Sequence, residues 1–459
     1  MIRLASAVVV LAVIGLGAGM FIGAGRAPGP VIEIHQPTGL FGRNARFAAS
    51  VDPTDGELTQ LDAVIEQAGS SWPLFSLTAP GAGELTQESE TRVGIAREIT
   101  RDAFPDLVPG PATIVVRATR SVLYGLRERE AVAQVEVEAR FAPPRLSVVS
   151  SFHYVNHGGA ELIVYRVTPP DSESGVQVGD RFFPGYPATT AGVEGADDAM
   201  RVALFALQHD QDLTVPMQLV ARDLAGNEAA TDFDHRVFPA QFRRSRIPVS
   251  DGFLQQVVPE IMSRSEAFAT STLPPGAGLL EQYLAINGGL RRINDERIRS
   301  LAAETASAPL WEGPFRQLGN SQVESGFADH RTYVHEGEEV DQQIHLGFDL
   351  ASTANAPVLA SNTGRVVWAD YLGIYGNCVI VDHGMGLQSL YAHLSSITVN
   401  VGDAVTNADQ LGLSGQTGLA GGDHLHFAIL LQGWPISPIE WWDPHWIEDR
   451  ITRKLRSAS

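Results

Sequence analysis

Cysteine is almost missing from this chain of 459 residues, where Cys378 stands alone. No internal disulfide can form, so stability must come from packed cores. A lone cysteine of this kind reads as a small hydrophobe. Basic residues are also scarce, with 33 Lys and Arg against 53 Asp and Glu and a net charge of −20. With no run of Lys and Arg to offset that average, nucleic acid is excluded as a partner. There is no H-E-x-x-H, so the thermolysin-like class is unsupported. Gly412-Leu413-Ser414-Gly415 lacks the last glycine of a G-x-S-x-G elbow, and Ser414 reads as a turn or strand residue. What is present is ordinary for a folded chain: 44% hydrophobic and 19% charged residues, with length for about three domains.

One long run without charge lies at the N-terminus. The 22 residues between Arg3 and Arg26 would make a helix of roughly 33 Å, about one hydrocarbon thickness. That is longer than the h-region of a cleaved signal peptide, and no A-x-A site follows. Residues 1–28 therefore read as an N-terminal transmembrane helix serving as membrane anchor, with a cleaved signal segment as the alternative. Either sends the chain out of the cytoplasm. Gly15, Gly19 and Gly23 match a small-xxx-small helix contact, but glycine is simply common here.

From about Pro30 to Phe238, short alternating runs are separated by turn residues. In Ala131–Glu138, Ala133, Val135 and Val137 share one face while Gln134, Glu136 and Glu138 share the other, the pattern of a half-buried strand. Pro143-Pro144 divides the region into units of about a hundred residues, the size of an immunoglobulin-like sandwich. The reading is mainly β, with two immunoglobulin-like β-sandwich units at 29–142 and 143–245 acting as spacer or adaptor. His35, His153, His157, His209 and His235 are scattered through them without ligand spacing.

A helical linker follows at 246–310. Asp251 is placed to cap a helix that puts Leu254, Val257, Val258 and Ile261 on one face. Leu279–Leu284 and Leu290–Leu301 read as further helices, interrupted by Pro274-Pro275-Gly276 and Gly288-Gly289. The plain reading is a packed linker; the sharper one is a segment that covers the next domain's cleft.

Six of the thirteen histidines fall between His345 and His445. His345 and Asp349 are four residues apart, and His424 and His426 are two apart on a strand-like run, so both imidazoles face one side. His393 ends the apolar run Leu390-Tyr391-Ala392. Two imidazoles and a carboxylate suit a catalytic zinc, which leaves its fourth position open to water.

These pieces occur in a definite order: His345-Leu346-Gly347-Phe348-Asp349, Gly376-Asn377 through His383-Gly384, Leu390-Tyr391-Ala392-His393-Leu394, Ser414-Gly415-Gln416-Thr417-Gly418 and His424-Leu425-His426-Phe427. With them, Gly326 to Trp446, about a quarter of the chain, resembles the lysostaphin-type (LytM-like) zinc peptidases that cut peptidoglycan peptides. The resemblance implies that residues 311–459 form a C-terminal antiparallel β peptidase domain with a groove across one sheet. It also implies one Zn2+ per chain on His345, Asp349 and His426. His393 and His424 would jointly activate the water and stabilise the oxyanion.

The common Gly-Pro before the H-x-H is Gly422-Asp423 here, which sets a carboxylate to raise the His424 pKa. His383 reads as structural, and His330 and His335 as solvated loop residues. Trp368, Tyr371 and Tyr375 either line the groove or pack, packing being preferred for Trp368. The aromatic tail Trp441–Trp446 reads as a clamp on the domain.

The expected function is a zinc endopeptidase acting on peptidoglycan stem or cross-link peptides in the cell envelope. It would be membrane-anchored, with the bulk of the chain outside the cytoplasm, periplasmic in a two-membrane bacterium. The immunoglobulin-like units would meet any envelope protein partner. The alternatives are a non-catalytic regulator that activates a cell-wall amidase, and a zinc peptidase with a protein substrate.

Overall fold

A computed structural model describes residues 2–79, 83–268, 273 and 276–458, with side chains from Val13 onward. The architecture is mainly β. Ile2–Ala24 is helical. The expected membrane span is not supported: the side chains of its first half lie outside the described residues, and among the described residues no helix is long and apolar enough to cross a membrane.

The chain divides into two compact units, Met1–Pro144 with Arg222–Ala229, and Arg145–Ala221 with Ala230–Ser459. In the first, a four-stranded sheet (Val31–Gln36, Asn44–Asp52, Val93–Thr100, Glu84–Gln87) and a five-stranded sheet share one core, which includes Phe47, Val51, Leu61, Ile65, Ile95 and Ile114. Arg127–Ala139 alternates along its length, with Ala133, Val135 and Val137 turned inward and Gln134, Glu136 and Glu138 exposed, as the period-2 pattern predicts.

The second unit begins with two four-stranded sheets built on Ala160–Thr168 with Met200–Ala206 and on Glu173–Val178 with Met217–Arg222. Its C-terminal part holds an eight-stranded antiparallel sheet, in which Phe348–Ala351, Leu425–Leu431, Leu387–Leu394, Asn377–Gly384 and Gly364–Tyr371 are successive neighbours. One buried cluster runs from Leu162, Val164 and Phe205 to Val381, Phe427, Ile429 and Trp441. The aromatic tail closes this core, as expected: Trp441 is fully buried against Trp311, Phe315 and Trp446.

The helical segment lies within this unit. The helix Asp251–Arg264 buries Leu254, Val257, Val258 and Ile261, the face read from spacing. Its cap is Ser250, however, whose side chain accepts from the Phe253 N–H, while Asp251 is the first helical residue. Pro274 and Pro275 lie outside the described residues. Gly288-Gly289 does not interrupt the next element. The two glycines sit in a π-helical turn, Ile286–Leu290, that joins the helices Leu279–Ala285 and Arg291–Leu301.

Candidate metal centre

Strand register brings the candidate residues together. Asp349 pairs directly with His426 across neighbouring strands, and His426 also faces Ala392, the residue before His393. His393 stands at φ +63°, a left-handed backbone that few non-glycine residues adopt, and its ring lies beside that of His424 with centroids 4.9 Å apart. His424 is bridged to Gly415 just before its strand begins.

The three predicted ligands converge. One nitrogen each from His345 and His426 and a carboxylate oxygen of Asp349 lie within 4.8 Å of one another, and all three residues are buried. The Nε2 of His345 is 2.9 Å from the Asp349 Oδ1 and 3.0 Å from the His426 Nδ1, which is itself 3.0 Å from the same oxygen. The His345 Nδ1 faces the Gly326 carbonyl at 3.0 Å and must carry the proton, because a carbonyl only accepts. In a neutral ring, Nε2 then points a lone pair at a carboxylate. Acceptors facing one another at these distances require a positive charge between or upon them, so the donor set fits a metal cation.

Asp349 is the hub. Its Oδ2 accepts from the Arg331 Nη2 at 2.8 Å, which leaves Oδ1 to the imidazoles. Burial pushes this carboxyl up, but the surrounding imidazoles, His345 foremost, hold it well below its ordinary value. Burial lowers His426 to about 4. Gly347 makes room for that ring, since a Cβ there would lie 2.7 Å from the His426 Nε2.

His393 and His424 each direct Nδ1 at a backbone carbonyl, Thr417 at 2.8 Å and Gly422 at 2.9 Å, so each ring, when neutral, carries its lone pair on Nε2. Burial and the neighbouring imidazoles hold the His393 pKa well below normal. Burial also opposes charge on His424, yet hydrogen bonding and attraction from Asp349, whose Oδ1 is 3.5 Å away, raise it. The cause is Asp349 and not Asp423, as had been expected. Asp423 is occupied elsewhere, accepting from the Ser414 hydroxyl at 2.6 Å and the Asn355 N–H at 2.9 Å. Ser414 is a buried structural residue.

All five residues line one cavity of about 390 Å³. Its other walls come from Tyr375, Leu419, Arg331 and the preceding helical segment, through Phe253, Tyr283, Asn287 and Arg291. His383 lies apart in the core, its Nδ1 donating to the Thr363 carbonyl at 2.8 Å and its Nε2 accepting from the Ser389 hydroxyl at 2.7 Å. His330 and His335 are not loop residues: they lie half-buried on the strand Asp329–His335, His330 stacked on Phe242 and His335 hydrogen-bonded to the Val249 carbonyl. Sequence reasoning missed Arg331, which sits on that same strand and carries no spacing signal.

The β-domain thus gathers buried His–Asp–His donors that could hold a metal ion, beside two further imidazoles. Residues 343–438 match the model of peptidase family M23, so the chain carries an M23 domain near its C-terminus. The DD-carboxypeptidase/endopeptidase Mpg of Neisseria meningitidis serogroup B is 36% identical over 97 residues, 21% of this chain and 22% of that protein. The peptidoglycan DD-endopeptidase ShyA of Vibrio cholerae is 36% identical over 96 residues, covering 21% and 22%. The murein hydrolase activator EnvC of Escherichia coli is 35% identical over 106 residues, covering 23% and 25%. The similarity thus spans about a quarter or less of each relative.

Proposed function

We propose that this protein is a zinc-dependent peptidoglycan endopeptidase of the cell envelope, with His345, Asp349 and His426 holding one Zn2+. The observation that carries this reading is the convergence of the three donors, with His393 and His424 at their side, inside the M23-matched segment. Bound there, the metal would supply Lewis acidity and a water acidified towards neutrality. The chain's own residues do the rest. Arg331 fixes the Asp349 carboxylate. The Thr417 and Gly422 carbonyls fix the tautomers of His393 and His424, so that both present Nε2. A neutral imidazole so placed takes the proton of the attacking water and returns it to the leaving amine, and the pair carries this role jointly. The relatives named for DD-endopeptidase activity support peptidoglycan peptides as substrate. The uncharged N-terminal run supports delivery to the envelope.

The test is digestion of purified peptidoglycan sacculi by the full chain, with mass spectrometry of the released fragments. Loss of cross-linked fragments is expected, abolished by a chelator and by His345→Ala. The second reading, an amidase activator, is favoured by the likeness to EnvC. It predicts no release by the protein alone and amidase activation that survives His345→Ala.

A further inference from the structure

The helix Arg291–Leu301 lies outside the M23-matched segment, yet it reaches the loop that backs the centre. Asn294, 4% exposed, turns its Oδ1 to the Ile374 N–H at 3.0 Å. A buried amide on a helix face is costly unless it is paired, and this one is paired to backbone. The adjacent Asp295 accepts from the Tyr375 hydroxyl at 3.5 Å. Gly373, at φ +48°, has no space for a Cβ because Asn294 occupies it. Two paths run on from this contact. The Tyr375 ring packs against His426 with centroids 5.8 Å apart. The Ile374 carbonyl accepts from the Leu419 N–H at 2.9 Å, and Asn377 N–H donates to the Thr417 hydroxyl at 2.9 Å; the Thr417 carbonyl in turn orients His393.

We infer that Asn294 is a positioning residue of the peptidase centre, fixing the 373–376 loop and through it the His426 and His393 rings. The inference rests on the metallopeptidase reading and gives the helical segment a sign opposite to that of a cover. If the segment only blocked the cleft, loosening it would release activity. If it braces the centre, loosening it removes activity, because shifts of about 1 Å at a catalytic group cost on the order of a hundredfold.

The test compares the full chain with Asn294→Ala, which removes the acceptor, and Asn294→Asp, which keeps it. Ile451→Ala, at a buried tail residue of a core cluster separate from that of Ile374, serves as a stability control. The readouts are kcat and KM on a soluble peptidoglycan peptide and the visible absorption of the Co2+-loaded protein. For Asn294→Ala the expected result is kcat lower by about tenfold to a hundredfold, KM within about twofold, and an altered Co2+ spectrum. Asn294→Asp should resemble wild type, and Ile451→Ala should lose thermal stability without losing kcat. Unchanged or increased kcat in Asn294→Ala overturns the inference, as does a kcat loss in Ile451→Ala that matches its loss of stability. If the wild type cuts nothing, the endopeptidase reading fails and the spectrum alone decides. A shift in Asn294→Ala that Asn294→Asp lacks then sustains the positioning role, and identical spectra, including no bound Co2+ in either, overturn it.

Discussion

The strand Arg127–Ala139 of the first unit and the strand Leu387–Leu394 of the peptidase sheet solve different problems. The first alternates buried and exposed residues, one face on a core and one on water. The second is buried at all eight positions, because both faces are covered. Burying both faces would ordinarily call for apolar residues alone. Leu387–Leu394 nevertheless carries Gln388, Ser389 and His393, and its neighbours carry Asp382, His383 and His426. The first unit buries few polar side chains, Ser50, Gln67 and Arg120 among them; the peptidase sheet buries Asp382, His383, Gln388, Ser389, His393 and His426, and of these His393 and His426 line the cavity of the donor cluster. What separates the two regions is the convergence of buried imidazoles and a carboxylate on one cavity.

The largest expected effect sharpens that contrast at the imidazoles that are not metal donors. His393→Ala and His424→Ala should each lower kcat for peptidoglycan peptides by about 10²–10⁴ while leaving one metal per chain. His426→Ala should lose the metal as well. Metal content by atomic emission, measured beside the kinetics, separates the two groups. Loss of metal in His393→Ala would place that residue among the ligands.

A matched pair of core truncations asks whether the regions differ as argued. Phe47 in the first unit and Tyr391 in the peptidase sheet are both almost fully buried aromatics. Truncating either to Ala should cost about 3–5 kcal/mol of local stability in urea. Phe47 belongs to the apolar core of its unit, so hydrolysis should persist. The Tyr391 hydroxyl accepts from the Ser361 N–H at 2.6 Å and lies 2.9 Å from the Ser389 hydroxyl, within the strand that delivers His393. Tyr391→Ala should therefore lose activity too. Equal loss of activity in both would erase the distinction between spacer and site.

What could be read from sequence follows the same divide. Alternation in Ala131–Glu138 and the helical face Leu254, Val257, Val258 and Ile261 were legible because one side meets water and periodicity records it. Four of the five candidate site residues were legible because they sit at short fixed spacings, four apart and two apart, whereas His393 was read from the end of the apolar run Leu390-Tyr391-Ala392 and from the family resemblance. His330, His335 and Arg331 were not legible, since their strand is fixed on one side by pairing with Arg244–Pro248, remote in sequence, while Glu338–His345 follows it across a short turn. The engagement of Asp423 with Ser414 and Asn355, and of Asn294 with Ile374, likewise depends on chain returns that no local pattern encodes.

The smallest effect tests how the polar burial of this unit responds to pH. Glu440, buried on the tail helix Pro438–Trp442, accepts from the Ala160 N–H at 2.7 Å and the Asn156 side chain at 2.8 Å. Burial raises its pKa from 4.5 to about 7. A raised folded-state pKa means that the stabilising contribution is complete below about pH 4.5 and is lost as pH rises through about 7. A shift of this size corresponds to about 3 kcal/mol. His153 and His383 work the other way. Burial lowers each to about 4, so their contribution is complete above pH 6.5 and is lost as pH falls to about 4. The wild type thus sums opposed slopes over one window. Glu440→Gln removes the carboxyl titration and leaves the histidines. Urea midpoints at pH 5 and pH 8 should show the variant gaining about 3 kcal/mol relative to wild type on going to the higher pH. Parallel pH curves for the two proteins would mean that Glu440 keeps an ordinary pKa and that this tail contact costs the fold nothing at neutral pH.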